Sequence, residues 1–414
     1  MRYPAAFLAV VVLLAAAIHA VYGYVVNSDV VGTVLGATTD GSLIYAYGYD
    51  SQGAAIFVFD GFRLSYVYHF ADADQVNDAQ YYNGYLYAVG RNGLIVMINV
   101  GNWQESRRVQ VGYTPTAIEK IGDQFYVAGY LYNETTGRYD TYMSIFDLNL
   151  NLADEKVLQI YEYGGMIPLD ISWNGTHVAI VGYTVDSYTG SVYPVTAYWD
   201  PASGSYTYTI YTDTIGYGTS VDVCGSFFVF ALGPRILFNN TFYDIGYNVT
   251  DVACLNNLIW FAYNEDGLVN GNATTVVHVG YINLTDNSIT DVVAGYGRVY
   301  AYGDPVIYGN SVLFGGSAYC PECGGSYPSV AALFLMDPVD YVVEVRTATV
   351  TETVTTTTTK TVAETQPVYI TETESTTVYE TTTVRGPYTE FDLAIVGVVA
   401  FVLALAICCC LLRR

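Results

Sequence analysis

Carboxylates are the chemically versatile groups this chain holds in quantity: 39 Asp and Glu stand against 15 Lys and Arg, only three of them lysines (Lys120, Lys156, Lys360). Converging carboxylates can hold a hard cation such as Ca²⁺ or serve as the acid and base of a glycoside hydrolase. Two groupings have a spacing that invites the question. Asp72, Asp74, Asn77 and Asp78 put oxygen donors in a connection just ahead of a strand, but without the Gly and distal Glu of an EF-hand loop. A solvated turn is the plainer reading, with Ca²⁺ the one cofactor worth testing. Asp78, Asp170, Asp222, Asp251 and Asp304 recur on successive short strands, where ring closure would gather them about one axis. The plainer reading is that each accepts backbone N–H bonds at a strand end, because the third repeat has Thr116 at the aligned place and the first has no acid.

Thiols and aromatics come next. Cys320 and Cys323 have the spacing of a redox or zinc half-site, yet no second pair accompanies them and His69, His177 and His278 are far apart. A local disulfide is the preferred reading, and Cys224 and Cys254, near the turns of consecutive repeats, are placed to bridge them. No G-x-S-x-G elbow, P-loop or H-E-x-x-H run is present, so no catalytic residue is assigned. Tyr occurs 42 times. It clusters in three expected loops: Tyr132, Tyr139 and Tyr142 within 131–142, Tyr188 and Tyr193 within 184–193, and Tyr319 and Tyr327 within 318–329. Such loops would emerge on one face, where tyrosine offers rigid amphipathic contact to a surface protein or glycan. Sequons at Asn133, Asn174, Asn239, Asn248, Asn272 and Asn283 mark candidate glycosylation sites.

The elements that would position these residues repeat. A turn with Gly or Asn, then five or six apolar and aromatic residues, then usually a Gly, begins at Gly41, Gly84, Gly122 and Gly175, with weaker copies at Gly225, Asn257 and Gly309. Seven copies between Tyr24 and Val345 average 46 residues each, the period of a four-stranded propeller blade. An all-β, seven-bladed β-propeller is therefore expected, with six or eight blades or an array of β-sandwiches as alternatives. The net charge of −24 removes nucleic acid from the partners, and 52% hydrophobic residues remove wholesale disorder.

The flanks suggest a compartment. Residues 1–23 read as a signal peptide around the apolar run 5–17, with cleavage after Ala20 or Gly23. The ectodomain spans 24–345, a stalk with 19 Thr spans 346–390, and residues 391–412 form a transmembrane helix ahead of Arg413 and Arg414 at the cytoplasmic end. A type I, single-pass cell-surface protein is expected, with removal of the tail for a lipid anchor as the alternative. This layout resembles the propeller ectodomains of archaeal cell-surface proteins on Thr-rich stalks. The resemblance is one of architecture: Trp199 and Asp200 form the single WD dipeptide and Gly315 and Gly316 the single kelch-like pair. No propeller-family activity carries over residue by residue, and the leading expectation is an adhesion, envelope-associated or recognition module displayed on the stalk. A surface enzyme acting on polysaccharide or peptide, and a solute-capture protein for a transporter, are the other readings. With 13% charged residues and a pI near 4.2, the ectodomain also suits an acidic exterior.

Overall fold

The computed structural model describes residues 22–337 except 71, 161, 270–271, 301–302, 310 and 321–328. The stalk, the transmembrane segment, the cytoplasmic end, Cys323, Tyr327 and most of the expected signal peptide lie outside the described residues. Among the described residues no helix is long and apolar enough to cross a membrane.

The described chain is all-β, built of antiparallel sheets. Residues 32–39 of β1 (Tyr22–Thr39) join β2 (Leu43–Asp50), β3 (Gly53–Asp60) and β4 (Arg63–His69) in the first sheet. The second holds β5 (Val76–Tyr82), β6 (Tyr85–Gly90), β7 (Leu94–Asn99) and β8 (Gln104–Gln110). The third holds β9 (Thr114–Ile121), β10 (Gln124–Asn133), β11 (Arg138–Asp147) and β12 (Leu152–Leu158), and the fourth β13 (Ile167–Trp173), β14 (Val178–Val185), β15 (Val192–Trp199) and β16 (Tyr206–Ile210). The fifth holds β17 (Gly218–Cys224), β18 (Phe227–Leu232), β19 (Arg235–Phe238) and β20 (Thr241–Asp244). The sixth holds β21 (Val249–Leu255), β22 (Leu258–Val269), β23 (Asn272–Asn283) and β24 (Ser288–Val299). A last group of β25 (Val306–Tyr308), β26 (Ser311–Tyr319) and β27 (Ser329–Asp337) takes residues 22–31 of β1 as its fourth strand, pairing Tyr22 with Asp337 and Val31 with Val330. That shared strand, together with a short pairing of β24 to β26, ties the sixth, seventh and first groups into one hydrogen-bonded unit.

Two local rules recur from sheet to sheet. The turn between the first and second strands always contains a residue at positive φ, and these are the seven repeat starts: Gly41, Gly84, Gly122, Gly175, Gly225, Asn257 and Gly309. Gly and Asn occupy that conformation at little steric cost. The first strand also slips by one residue against the second, between Val34 and Gly36, Val76 and Asp78, Pro115 and Ala117, Pro168 and Asp170, Gly218 and Ser220, and Val249 and Asp251. The slip pushes a carbonyl towards the facing strand. A methyl group added at Gly48, Gly90, Gly129 or Gly182 would overlap the carbonyl oxygen of Thr33, Gln75, Thr114 or Ile167. The glycine that closes the repeat phrase is thus a clearance residue.

Alternation then sorts side chains between neighbouring sheets. Tyr45 and Tyr47 of β2 face the second sheet with Leu86 and Val96, while Ile44 and Ala46 face the seventh group with Leu313 and Leu333. Each of the seven apolar clusters among the described residues lies between one sheet and the next, the last between the seventh group and the first sheet. First strands pack successively on one another, from β1 on β5 through to β17 on β21, with β21 reaching β26 and β25 reaching β1.

Candidate functional site

The inner-strand acids do converge. Asp78, Asp170 and Asp251 occupy the position just after the slip, which turns them inward, and are only 1–2% exposed. Asp78 accepts from its neighbour's amide, Ala79 N at 2.7 Å, and from the next sheet, Ile118 N at 2.7 Å. Asp170 does the same with Ile171 N (2.6 Å) and Val221 N (2.7 Å), and Asp222 with Val223 N (2.7 Å) and Cys254 N (2.6 Å). Each carboxylate therefore staples one first strand to the next.

The third sheet, where Thr116 suggested a gap, supplies Glu119 two residues deeper than the post-slip position. Glu119 accepts from Gln80 Nε2, while Gln80 Oε1 accepts from Lys120 N at 2.8 Å. In the first sheet the post-slip residue is Gly36, and the Tyr47 hydroxyl fills the space its side chain would need. That hydroxyl bonds the Asp78 carboxylate and accepts from Asp304 N at 2.8 Å.

Burial and mutual repulsion govern how these groups hold protons. Burial pushes Asp78 up to about 6 against the hydrogen bonds that favour its ionised form. Burial, with the neighbouring carboxylates, pushes Glu119 and Asp170 up to about 8 and raises Asp251 and Asp304 well above the usual range. Burial raises Asp222 as well. Glu119, Asp222 and Asp304 keep some open surface but are enclosed deeply enough for desolvation to dominate.

At the sheet ends where second strands turn into third strands, and fourth strands pass to the next sheet, tyrosines gather. The three expected loops are shorter than their sequence suggests, because Tyr132 belongs to β10, Tyr139 and Tyr142 to β11, Tyr193 to β15 and Tyr319 to β26. Tyr188 sits on a turn and is 98% exposed, and Tyr132 is 50% exposed, whereas Tyr139, Tyr142 and Tyr193 are half-buried. The rings they meet come from the segments that connect one sheet to the following one, which were not singled out in the sequence. Tyr113 stacks on Tyr142 (4.9 Å between centroids), Tyr163 packs on Tyr193 (5.5 Å), Tyr217 on Tyr183 (4.8 Å) and Tyr247 on Tyr263 (5.0 Å). Four successive connections between sheets thus each place one tyrosine against another. A signal existed: Tyr113, Tyr217 and Tyr247 stand two or three residues ahead of the slip threonines Thr116, Thr219 and Thr250. At the sixth sheet the stack continues onto His278 (4.6 Å), whose ring nitrogens lie 2.9 Å from Glu265 and 3.0 Å from Asp291.

The proposed calcium cluster is not assembled. Asp72 and Asp74 are exposed, Asn77 is bonded to Gln75 and to Pro115 O (both 2.7 Å), and Asp78 is committed to the centre. Among the described residues no three His, Cys, Asp or Glu are arranged to hold a metal ion. Cys224 and Cys254 form a disulfide between the ends of β17 and β21, with Cα atoms 5.3 Å apart, and Cys320 is also disulfide-bonded. Asn133, Asn174, Asn239, Asn248 and Asn283 all lie at turns or connections or border them, while the side chain of Asn272 lies outside the described residues. At the opposite sheet ends, a groove of about 470 Å³ between the fourth and fifth sheets is lined by Tyr198, Tyr206, Phe227 and Asn239. Another of about 870 Å³ between the third and fourth sheets is lined by Trp173, Asp123, Asp147 and Asp200.

No family model and no curated protein matches the chain. Among solved structures the chain is similar to the computationally designed Ika8 protein, at 10% identity with a TM-score of 0.46, covering 74% of this chain and 99% of that one.

Proposed function

We propose that this chain is a membrane-anchored cell-surface recognition protein, its ectodomain a seven-bladed β-propeller that binds a surface protein or glycan across the tyrosine-lined edge. Seven inter-sheet cores, with β1 shared between the first and last groups, support the blade count and ring closure. The apolar run at 5–17, the Thr-rich 346–390 and the apolar 393–412 ahead of Arg413 and Arg414 support the anchored topology. Cleavage after Gly23 would remove Tyr22 and Gly23, the register partners of Asp337 and Met336, which favours cleavage after Ala20.

The observation that carries the binding reading is the repeated aromatic pair at four connections between sheets, capped by rings such as Tyr188 that solvate rather than pack. Acid–base catalysis is poorly served by the same molecule. Of the carboxyls raised into a useful range, Asp78 and Asp170 are buried and Glu119 is bonded to Gln80, and those bordering the groove, Asp147 and Asp200, are held below the usual range by turn hydrogen bonds from Asn151 and Ser203.

A glycan and peptide array probed with residues 22–337 tests this reading. Replacing Tyr132, Tyr188 and Tyr319 together by Ser is expected to weaken capture at least tenfold, about 1.4 kcal/mol. The melting temperature should stay nearly unchanged, since all three rings are exposed. Undiminished capture by the triple variant, or turnover of a captured glycan, would remove the proposal.

A further inference from the structure

The six central acids come from six different places around the molecule: Asp78 on β5, Glu119 on β9, Asp170 on β13, Asp222 on β17, Asp251 on β21, and Asp304 just ahead of β25. The Tyr47 hydroxyl from β2 reaches two of them, Asp78 and Asp304. Asp170 acts on Glu119, Asp251 and Asp304; Asp78 acts on Glu119, Asp170 and Asp304. No lysine, arginine or histidine appears among the groups acting most strongly on any of them. Lys120, the nearest in sequence, turns away to Gly122 O (2.6 Å) and the Tyr82 ring.

A second, independent feature lies in the same place. Asp251 breaks the staple pattern: Oδ1 accepts from Val252 N at 2.9 Å and the Ser220 hydroxyl bonds the carboxyl, but Oδ2 is left buried with no hydrogen-bond partner of its own. Only Thr184 Oγ1, Trp199 Nε1 and Trp260 Nε1 share that condition among the described residues. An ionised, unpartnered carboxylate oxygen in such a setting is strongly disfavoured, whereas a protonated one is a neutral hydroxyl.

We infer that the centre of the fold is a proton-binding site, with Asp251 Oδ2 carrying a proton in the native state, so that folding takes up protons and the protein is built to stand in an acidic medium. The native state holds protons that the unfolded chain, with carboxyls near 3.8–4.5, has released. The resulting stabilisation is complete below about pH 4 and is lost as pH rises through the folded values of about 6 for Asp78 and about 8 for Glu119 and Asp170. Exposed turn caps act in the opposite sense. Asp147, Asp154, Asp186, Asp200 and Asp286 are lowered by hydrogen bonds to their ionised forms, and their small contribution disappears as pH falls below about 3.8. Stability should therefore peak near pH 4 to 5.

Thermal melts of the purified full chain test this directly. The melting temperature is expected to fall by on the order of 10 °C between pH 4.5 and pH 7.5. Asp251→Asn keeps Oδ1 as acceptor and places an uncharged amide where Oδ2 stands. It should match the parent at pH 4.5, melt higher at pH 7.5 and show a shallower pH dependence. Because that reading requires a folded variant, infrared spectra of the parent provide a second one: a carboxylic-acid C=O band present at pH 6.5 and abolished on unfolding. A melting temperature that is flat or rises from pH 4.5 to 7.5, or absence of that band, would overturn the inference. So would saturable stabilisation by Ca²⁺ at pH 7.5 that Asp251→Asn abolishes, since the ligand would then be a metal cation.

Discussion

Replacing Asp170 by Ala should destabilise the described fold by about 2–6 kcal/mol, since it strands the amides of Ile171 and Val221, each worth about 1–3 kcal/mol when buried without an acceptor. The loss falls at the junction of the fourth and fifth sheets, where Val181, Val221 and Phe230 also pack. Asp170→Asn should not rescue it, because one amide nitrogen would then face a backbone N–H. This is the reverse of the outcome expected for Asp251→Asn, although both residues occupy the same position in their sheets. Urea unfolding of the two Asp170 variants distinguishes a strand staple from a merely crowded acid: variants as stable as the parent would show that the two hydrogen bonds contribute nothing.

A chain beginning at Gly32 should lose still more in practical terms. Residues 22–31 supply the fourth strand of the seventh group, and their removal exposes the edge of β27 and takes Val26 out of the core it shares with Leu313 and Leu333. Lost pairing and burial of about 3–6 kcal/mol would lower the melting temperature by on the order of 10 °C. A synthetic peptide of residues 22–31 added in excess should restore much of the loss by adding the strand back. An unaffected melting temperature would mean that the two ends of the described chain do not depend on each other.

Much of this molecule was readable before its structure. The turn glycines and Asn257 announced the repeats because positive φ narrows the choice of residue, and the phrase-final glycines did so because a slipped carbonyl excludes a methyl. The central acids were visible as a series, but not in full. Glu119 was hidden because alternation lets the same inward place be reached two residues deeper, and Tyr47 because a tyrosine from the second strand replaces an acid of the first. The tyrosine edge was only half legible. Hairpins such as β10–β11 extend through what looked like loop, since Tyr and Thr continue a strand as readily as they leave it. Tyr163, Tyr217 and Tyr247 were overlooked because they stand in the connections between sheets, outside the repeated strand phrases, and their partners lie 16 or more residues away.

In the proposed propeller, the tyrosine edge and the acid centre both depend on closure of the sheet series through the pairing of β1 with β27. Asn27 and Ala332 are register partners across that closure. Facing residues in an antiparallel pair stand about 4.5–5.5 Å apart at Cα, within reach of a disulfide. In the Asn27→Cys, Ala332→Cys double variant, peptide mapping after mild oxidation should find these two cysteines joined within one molecule. Free, alkylatable cysteines at both positions in the folded protein, or cross-links only between molecules, would contradict the closed arrangement.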